Sequence, residues 1–556
     1  MAFDRDRANP LDTNFAYANA LLGVYQSYSE STAQPRGRLR FTNFEWYAQD
    51  DWRVRPRFFL NYGLRFYYDL PAYDAMLQAA TFVPSLYDSS KAPVLLRPAL
   101  DSARNKIAVD PLKGTTYPAI LVGTFVPGIG DPANGTAVGG KNGFPRTLMT
   151  TPNVTLGPRV GFSWDPFGKS RTTVRGGGGV FYNRIFLSPI TNNVGGPPIA
   201  YTPTLYYGTL DGLAQMAGQG ALAPTNTYSL WGHQGPTTVY NFSLGIQQQI
   251  GRRSVLDVSY VGSLGRHLNW TRNINPVPIG ARFLDLHPEN RDPSTTSSAL
   301  PTNFLRLYQG WGDITMYEFG ASSNYSSLQV SASRRMSRGQ IVVGYTFSKA
   351  LGTQSGDYTS RITPFFPPRS WNYGVLDQDR TNVLTLRYNY ALPQPGRHLK
   401  LRWMGLVTDH WEISGVSRFV SGAPFTPGLS TVDGQDITGT PSLSARPTVA
   451  NPSADPVHRF GRPARGTFGN MGANVLRGPG TNNWDISVYR RIPLREGGKS
   501  LQLRLESYNT FNHTQFSSLS TTARFDQQGN QVDPLFLEPT AARSPRRLQL
   551  AMRFNW

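Results

Sequence analysis

The sequence contains no cysteine among its 556 residues. That excludes a disulfide framework, cysteine-bound zinc or iron–sulfur centres, and a thiol nucleophile. Charge is sparse as well: 16% of residues are Asp, Glu, Lys or Arg, low for a soluble protein of this size. Long apolar runs are missing. No stretch reaches the roughly eighteen apolar residues of a membrane-spanning helix, and the mean hydropathy is −0.36. The opening MAFDRDRANP lacks the apolar core of a signal peptide. Basic residues outnumber acidic ones, 55 to 35, for a net charge of +20. Yet no run of five or more basic residues and no zinc finger occurs, so the clustered footprint of a nucleic-acid binder is absent. The excess positive charge is expected in turns and a polar interior.

What the chain has instead is 30 Phe, 27 Tyr and 11 Trp, with 55 Gly and 43 Pro. Aromatic residues favour strands, while Gly and Pro punctuate turns. Few charges, no apolar run and many aromatics fit a transmembrane β-barrel, whose single segments are only weakly hydrophobic. A secreted all-β protein would share this composition.

Period-two alternation is the main signal, and the connections separate the two. Phe58, Leu60, Tyr62, Leu64, Phe66 and Tyr68 fall on one side of a strand, with Asn61, Gly63, Arg65 and Asp69 on the other. Leu384, Leu386, Tyr388 and Tyr390 oppose Thr385, Arg387 and Asn389, and Leu501, Leu503 and Leu505 oppose Gln502, Arg504 and Glu506. The pattern predicts strands near 22–33, 38–53, 57–69, 154–165, 171–183, 238–250, 253–264, 325–336, 339–350, 381–392, 410–421, 482–493, 500–512 and 545–556. Tight links at 53–57, 165–171, 250–254, 335–340 and 492–500 alternate with long Gly/Pro/Asn/Ser-rich stretches at 70–153, 184–237, 265–324, 351–380, 422–481 and 513–544. Only 393–409 is of middling length. Long structureless loops argue against a compact soluble domain. Short periplasmic turns and long extracellular loops are the build of an outer-membrane barrel. The expected fold class is therefore all-β, an antiparallel transmembrane β-barrel of about fourteen strands with long extracellular loops. Residues 1–37 are an N-terminal segment with a candidate first strand, and 38–556 are barrel. Aromatics near strand ends (Trp52, Phe59, Tyr67, Trp164, Phe181, Tyr182, Trp411, Phe419, Trp484 and Trp556) suit interfacial girdles.

The polar side of the alternation supplies the candidate lumen-facing residues: Arg65, Arg159, Arg175, Gln247, Gln249, Asp257, Gln329, Arg387, Arg418, Asp485, Arg504 and Glu506. Such side chains either line a solute path or simply hydrogen-bond across a hydrated interior. Arginine slightly outnumbers carboxylate among them, a hint of anionic solutes or an acidic plug surface. Catalytic and metal chemistry find little support. Seven scattered histidines show no HExxH pattern and no close acidic partner. Gly176–Gly179 sits within a strand pattern and lacks the Lys-Ser/Thr of a phosphate loop, so it is expected to relieve crowding or permit a bend. Asp377, Asp379 and Arg380 read as a salt-bridged turn rather than an acid–base pair. No catalytic residue, cofactor or metal site is expected.

Several segments, in order, are familiar. Phe44–Val54 (FEWYAQDDWRV), Leu60–Asp69 (LNYGLRFYYD), 158–168 (PRVGFSWDPFG), 325–351, 373–393, 411–427 and 501–516 together resemble the barrel of Oar-like TonB-dependent receptors, spanning most of the chain from residue 41. The resemblance implies about 22 barrel strands around a plug, with a TonB box and a signal peptide. None of these N-terminal parts is visible here, so the chain is expected to be the C-terminal portion of a larger barrel, its true start lying upstream or its gene incompletely read. Leu548, Leu550, Met552, Phe554 and Trp556 resemble the terminal-strand signal read by the barrel-assembly machinery. Implied partners are outer-membrane lipid and lipopolysaccharide, that machinery, an extracellular solute, and TonB through the plug; nucleic acid is not among them. Expected location is the bacterial outer membrane. The implied function is TonB-dependent uptake of a bulky solute, with surface adhesion as the alternative and a passive pore as a third reading. A TonB box and plug in the complete gene would favour uptake over adhesion.

Overall fold

The computed structural model describes residues 1–216, 218–353, 363–400, 402–494 and 499–556. Thirteen strands follow one another through a single antiparallel sheet: β1 (Asn43–Arg55), β2 (Phe58–Asp69), β3 (Thr155–Trp164), β4 (Thr172–Asn183), β5 (Thr237–Ile250), β6 (Ser254–Asn273), β7 (Trp311–Met336), β8 (Gly339–Gly352), β9 (Asn382–Ala391), β10 (Trp411–Val420), β11 (Thr481–Pro493), β12 (Ser500–Tyr508) and β13 (Arg547–Asn555). Each pairs with its chain neighbours, an up-and-down meander. Among the described residues β1 and β13 do not pair with each other, so the sheet has two free edges. No described helix is long and apolar enough to cross a membrane.

Short turns join the strands at one end. Asp165 ties the β3–β4 turn, its carboxylate accepting from the backbone N–H of Gly168 at 2.8 Å and of Ser170 at 2.9 Å. Gly168 there has φ +67°, a left-handed backbone that suits glycine. The middling link between β9 and β10 holds two short helices, Pro395–His398 and Arg402–Thr408. Residues 495–498 of the expected 492–500 turn, and 354–362 of the expected 351–380 loop, lie outside the described residues.

Glycine within the wall makes room for rings. A side chain on Gly262 would collide with the Phe242 ring of the neighbouring strand, and one on Gly415 with the Tyr388 ring. Gly176 likewise faces Phe162, while a Cβ on Gly177 would press the Val160 carbonyl at 3.0 Å. The β3–β4 and β4–β5 ladders run through Gly176–Gly179 without a register shift. Relief of crowding, rather than a bend, explains that run.

Two expectations need correction. The segment near 22–33 does contain a strand, Val24–Ser29, but it pairs with Thr204–Thr209 away from the wall. Val24 and its immediate neighbour Tyr25 are both buried, which a wall strand with one exposed apolar and one polar side does not allow. The wall thus has thirteen strands among the described residues. The loop expected at 265–324 shrinks to 274–310, because β6 and β7 continue beyond their neighbours as a long ribbon. Thr225–Ser229 adds to this ribbon in parallel.

The packed apolar cores lie at the long-loop end. Leu148, Met149, Ile190, Leu230, Tyr317 and Phe319 form one cluster. Phe82, Trp311 and Ile314 form a second, and Phe460, Met471, Ala523, Phe525 and Phe536 a third. Small sheets stitch the loops together, among them Gly428–Thr431 with Thr522–Phe525, and others brace a single loop, as Arg97–Leu100 does with Lys106–Val109 and Thr116–Pro118.

Candidate functional site

The pairing register assigns a face to every wall residue. Arg65 stands across from Gly157, Arg159 from Gly179, Arg175 from Gly245 and Gln247 from Asp257. Gln329 stands across from Ser259, Arg387 from Val416, Arg418 from Asn483 and Glu506 from Gln549. Directly opposed residues share a side of the sheet and alternate residues return to it. Arg65, Arg159, Arg175, Gln247, Gln249, Asp257, Gln329, Arg387, Arg418, Asp485, Arg504 and Glu506 consequently all project from one face. Leu244, Ile246, Leu386, Leu503, Leu505, Leu548, Leu550, Met552 and Phe554 project from the other. Along β13 the apolar set and Trp556 are exposed.

Much of the polar face is internally paired. Arg65 forms an ion pair with Glu45, and Arg175 one with Asp257. The second carboxylate oxygen of Asp257 accepts from the Ser259 hydroxyl at 2.8 Å. Arg504 donates to Ser487 Oγ at 3.1 Å and lies 3.3 Å from a Glu506 oxygen; the other Glu506 oxygen accepts from Tyr508 at 3.0 Å. Asp485 accepts from the Asn509 N–H at 3.0 Å, and Gln329 donates to Ser327 Oγ at 3.2 Å. Arg387 and Arg418 make no ion pair among the described residues. Three rings expected in the girdle, Phe59, Tyr67 and Phe181, turn out to lie on the polar face. Their partners explain this: Arg53 sits 5.3 Å from the Phe59 ring centre, Arg65 5.1 Å from Tyr67 and Arg159 4.6 Å from Phe181, within cation–π range.

Several hollows follow the polar face, one of about 360 Å³ beside Arg65 and Arg159 and three larger. One of about 640 Å³ involves Arg175, Asp257, Gln329 and Arg387. A second, about 560 Å³, takes in Arg387, Asp485, Arg504 and Glu506. A third, about 920 Å³, lies where the wall meets the loops and is lined by Arg380, Arg418, Asp485, Arg543 and Arg547. Alternation could not reveal Arg380 and Arg543, because they precede β9 and β13. Glu45, the partner of Arg65, was visible only once the β1–β2 register was known.

Other charged groups serve the loops. Asp379 pairs with Arg477 rather than with Arg380, and its carboxylate also accepts from the Ala350 N–H at 2.6 Å. Arg380 instead donates to the carbonyls of Asp377 and Asp379. The expected turn salt bridge is thus a clasp between two loops. Two histidines do have acidic partners, His287 with Glu289 at 3.0 Å and His458 with Asp455 at 2.7 Å. Both pairs are local in sequence and exposed. Among the described residues no group of three or more His, Asp or Glu converges as a metal site. The Arg465 guanidinium beside Asp285, and Arg462 beside Asp433, hold those loop carboxyls down to about 2.

A family model described as "Outer membrane beta barrel domain" matches residues 2–549. No curated protein matches the sequence. Similar solved structures include the outer membrane transporter YddB from Escherichia coli, 9% identical with a TM-score of 0.41 over 92% of this chain and 53% of that one. The siderophore receptor PiuA from Acinetobacter baumannii is 9% identical, with a TM-score of 0.39 over 92% of this chain and 43% of that one. The FrpB iron transporter from Neisseria meningitidis is 12% identical, with a TM-score of 0.35 over 92% of this chain and 56% of that one. The chain spans about half the length of these structures.

Proposed function

The chain belongs to the outer membrane beta barrel domain family, and from that membership we propose that it forms the wall and solute-binding loops of a TonB-dependent receptor. Its place is the bacterial outer membrane. The apolar face of the sheet then meets lipid and the polar face lines the lumen, since hydrocarbon tolerates the first and not the second. The observation that carries the proposal is the division of the molecule: tight turns at one end, and at the other long loops packed into their own layer above a hollowed polar face. A binding layer set over a polar passage suits capture followed by entry.

On this model a bulky extracellular solute settles among the loops, and TonB, pulling on a plug domain, opens the lumen. Lipopolysaccharide surrounds the loop end, and the barrel-assembly machinery reads Leu548, Leu550, Met552, Phe554 and Trp556 on the last strand. No catalytic role is assigned. The test compares the solutes removed from growth medium by the native host, by a strain lacking this gene, and by a strain lacking TonB. A solute removed by the first and left by both others is the expected result. If no solute behaves so, yet loss of the gene alone abolishes attachment to a surface, the protein is an adhesin and uptake is refuted.

A further inference from the structure

We propose that the cavity where β9–β13 meet the loops binds oxyanion groups of a polyanionic solute, with Arg380, Arg418, Arg543 and Arg547 as its ligands. The proposal rests on the solute-receptor function above and names the class of solute.

The topology gathers the four arginines from three places. Arg380 comes from the residues entering β9, Arg418 from the loop end of β10, and Arg543 and Arg547 from the start of β13. All line the same hollow of about 920 Å³. Its lining holds one carboxylate, Asp485, which is already engaged by the Asn509 N–H at 3.0 Å. Four guanidinium groups against one carboxylate leave a strong local excess of positive charge.

Several arginines elsewhere in the molecule are neutralised. Arg65, Arg175, Arg272, Arg306, Arg462, Arg465, Arg477 and Arg504 each lie against an acidic side chain. Among the described residues none of the four cavity arginines does. Arg380 is oriented without being neutralised: Nη1 donates to the carbonyls of Asp377 at 2.9 Å and Asp379 at 2.6 Å. The nearby Asp379 carboxylate is taken by Arg477. Arg547 Nη2 donates to the Ser544 hydroxyl at 3.1 Å, again a neutral partner.

Like charges that line one cavity repel, and a concave wall concentrates their field. A phosphate, sulfate or carboxylate relieves that repulsion, and its oxygens match the planar fork of a guanidinium. The next hollow along the same face carries Arg387 and Arg504 against Asp485 and Glu506, so positive charge is greatest at the loop end, where a solute would arrive. A small neutral solute would leave the four guanidinium groups uncompensated.

The experiment titrates tripolyphosphate into the full chain in detergent micelles at low ionic strength, by calorimetry. Replacing two charge-assisted donors in Arg418→Gln/Arg543→Gln is expected to weaken binding at least about tenfold. Arg418→Lys/Arg543→Lys keeps the charge but loses the fork, and is expected to weaken binding by about threefold, less than the Gln pair. Arg97→Gln, outside the cavity, leaves affinity unchanged. Lipid A micelles replace tripolyphosphate in a second arm, since lipopolysaccharide phosphates share the chemistry. Lipid A binding is expected to be insensitive to the double Gln variant; its selective loss would place the anion in the membrane and overturn the proposal. Tripolyphosphate affinity equal in every variant, or absent from a chain whose strand content is intact by circular dichroism, would also overturn it. The uptake test in cells does not depend on solute charge, so the receptor function would survive that failure.

Discussion

Along β13, Leu548, Leu550 and Met552 stand more than half exposed, whereas in the loop layer Trp311, Phe525 and Leu148 are sealed almost completely. The same chain handles apolar side chains in two opposite ways within one molecule. The wall is a single sheet thick, and side chains leave it in two directions without meeting a second layer of protein. Away from its two edges its backbone groups satisfy one another across ladders, and on the proposed function its apolar side is completed by lipid. The loop layer has water around it and must bury its own apolar surface. Most strand content therefore resides in one region and protein-on-protein packing in the other, and each should fail by its own route.

The largest expected effect lies in the loop layer. Trp311 packs with Phe82 and Ile314, and its indole N–H donates to the Asn134 carbonyl at 2.9 Å. Trp311→Ala should cost about 3–5 kcal/mol through lost contacts and a cavity. Limited proteolysis should then cut the loops far sooner, while circular dichroism of the wall strands holds. A parallel loss of strand signal would show the two regions to be one cooperative unit. Next comes the wall. Leu386→Arg on the apolar face should cost about 2–4 kcal/mol in vesicles, the effect of a charge set against hydrocarbon at mid-depth, read from urea unfolding with loop protection unchanged. A neutral result would mean that this face does not meet lipid.

The smallest effect is acid sensitivity of the loops. Hydrogen bonds from Arg462 stabilise the charged form of Asp433 and hold its carboxyl at about 2. A depressed carboxyl stabilises the fold above its unfolded value of about 4, and that contribution fades as pH falls through about 2. Arg462→Gln should make the loops more protease-sensitive at pH 7, with the difference from the unsubstituted chain much smaller at pH 2. An equal difference at both pH values would remove the ion pair from the account.

The wall was legible in the sequence because one face is apolar and the other polar, which writes alternation into each strand. Leu384–Tyr390 and Leu501–Glu506 show this plainly, and the polar faces they gave agree with the pairing register. Where that condition lapses, so does the signal. The upper parts of β6 and β7 bury Trp270, Thr271, Tyr317 and Phe319 under loops on both sides, and 265–324 accordingly read as loop. Val24–Ser29 was visible as a strand, but its partner 204–209 lies far along the chain, beyond any local pattern. The polar hollows were half legible: Arg387 and Arg418 followed from period two, whereas Arg380 and Arg543 needed the fold to bring strand ends together.

The long β6–β7 ribbon has a mechanical consequence. Its upper reach carries the parallel strand 225–229 and the Trp311 cluster, while its lower reach is laced to β5 on one side and β8 on the other. A tug on the tip between residues 274 and 310 runs lengthwise down both strands. The load reaches the wall as shear along two whole ladders, with many hydrogen bonds bearing it at once, and not as a peel that breaks them singly. The ribbon is a mast stepped deep in the hull: what strains its tip is passed to the two strands, β5 and β8, laced to its foot.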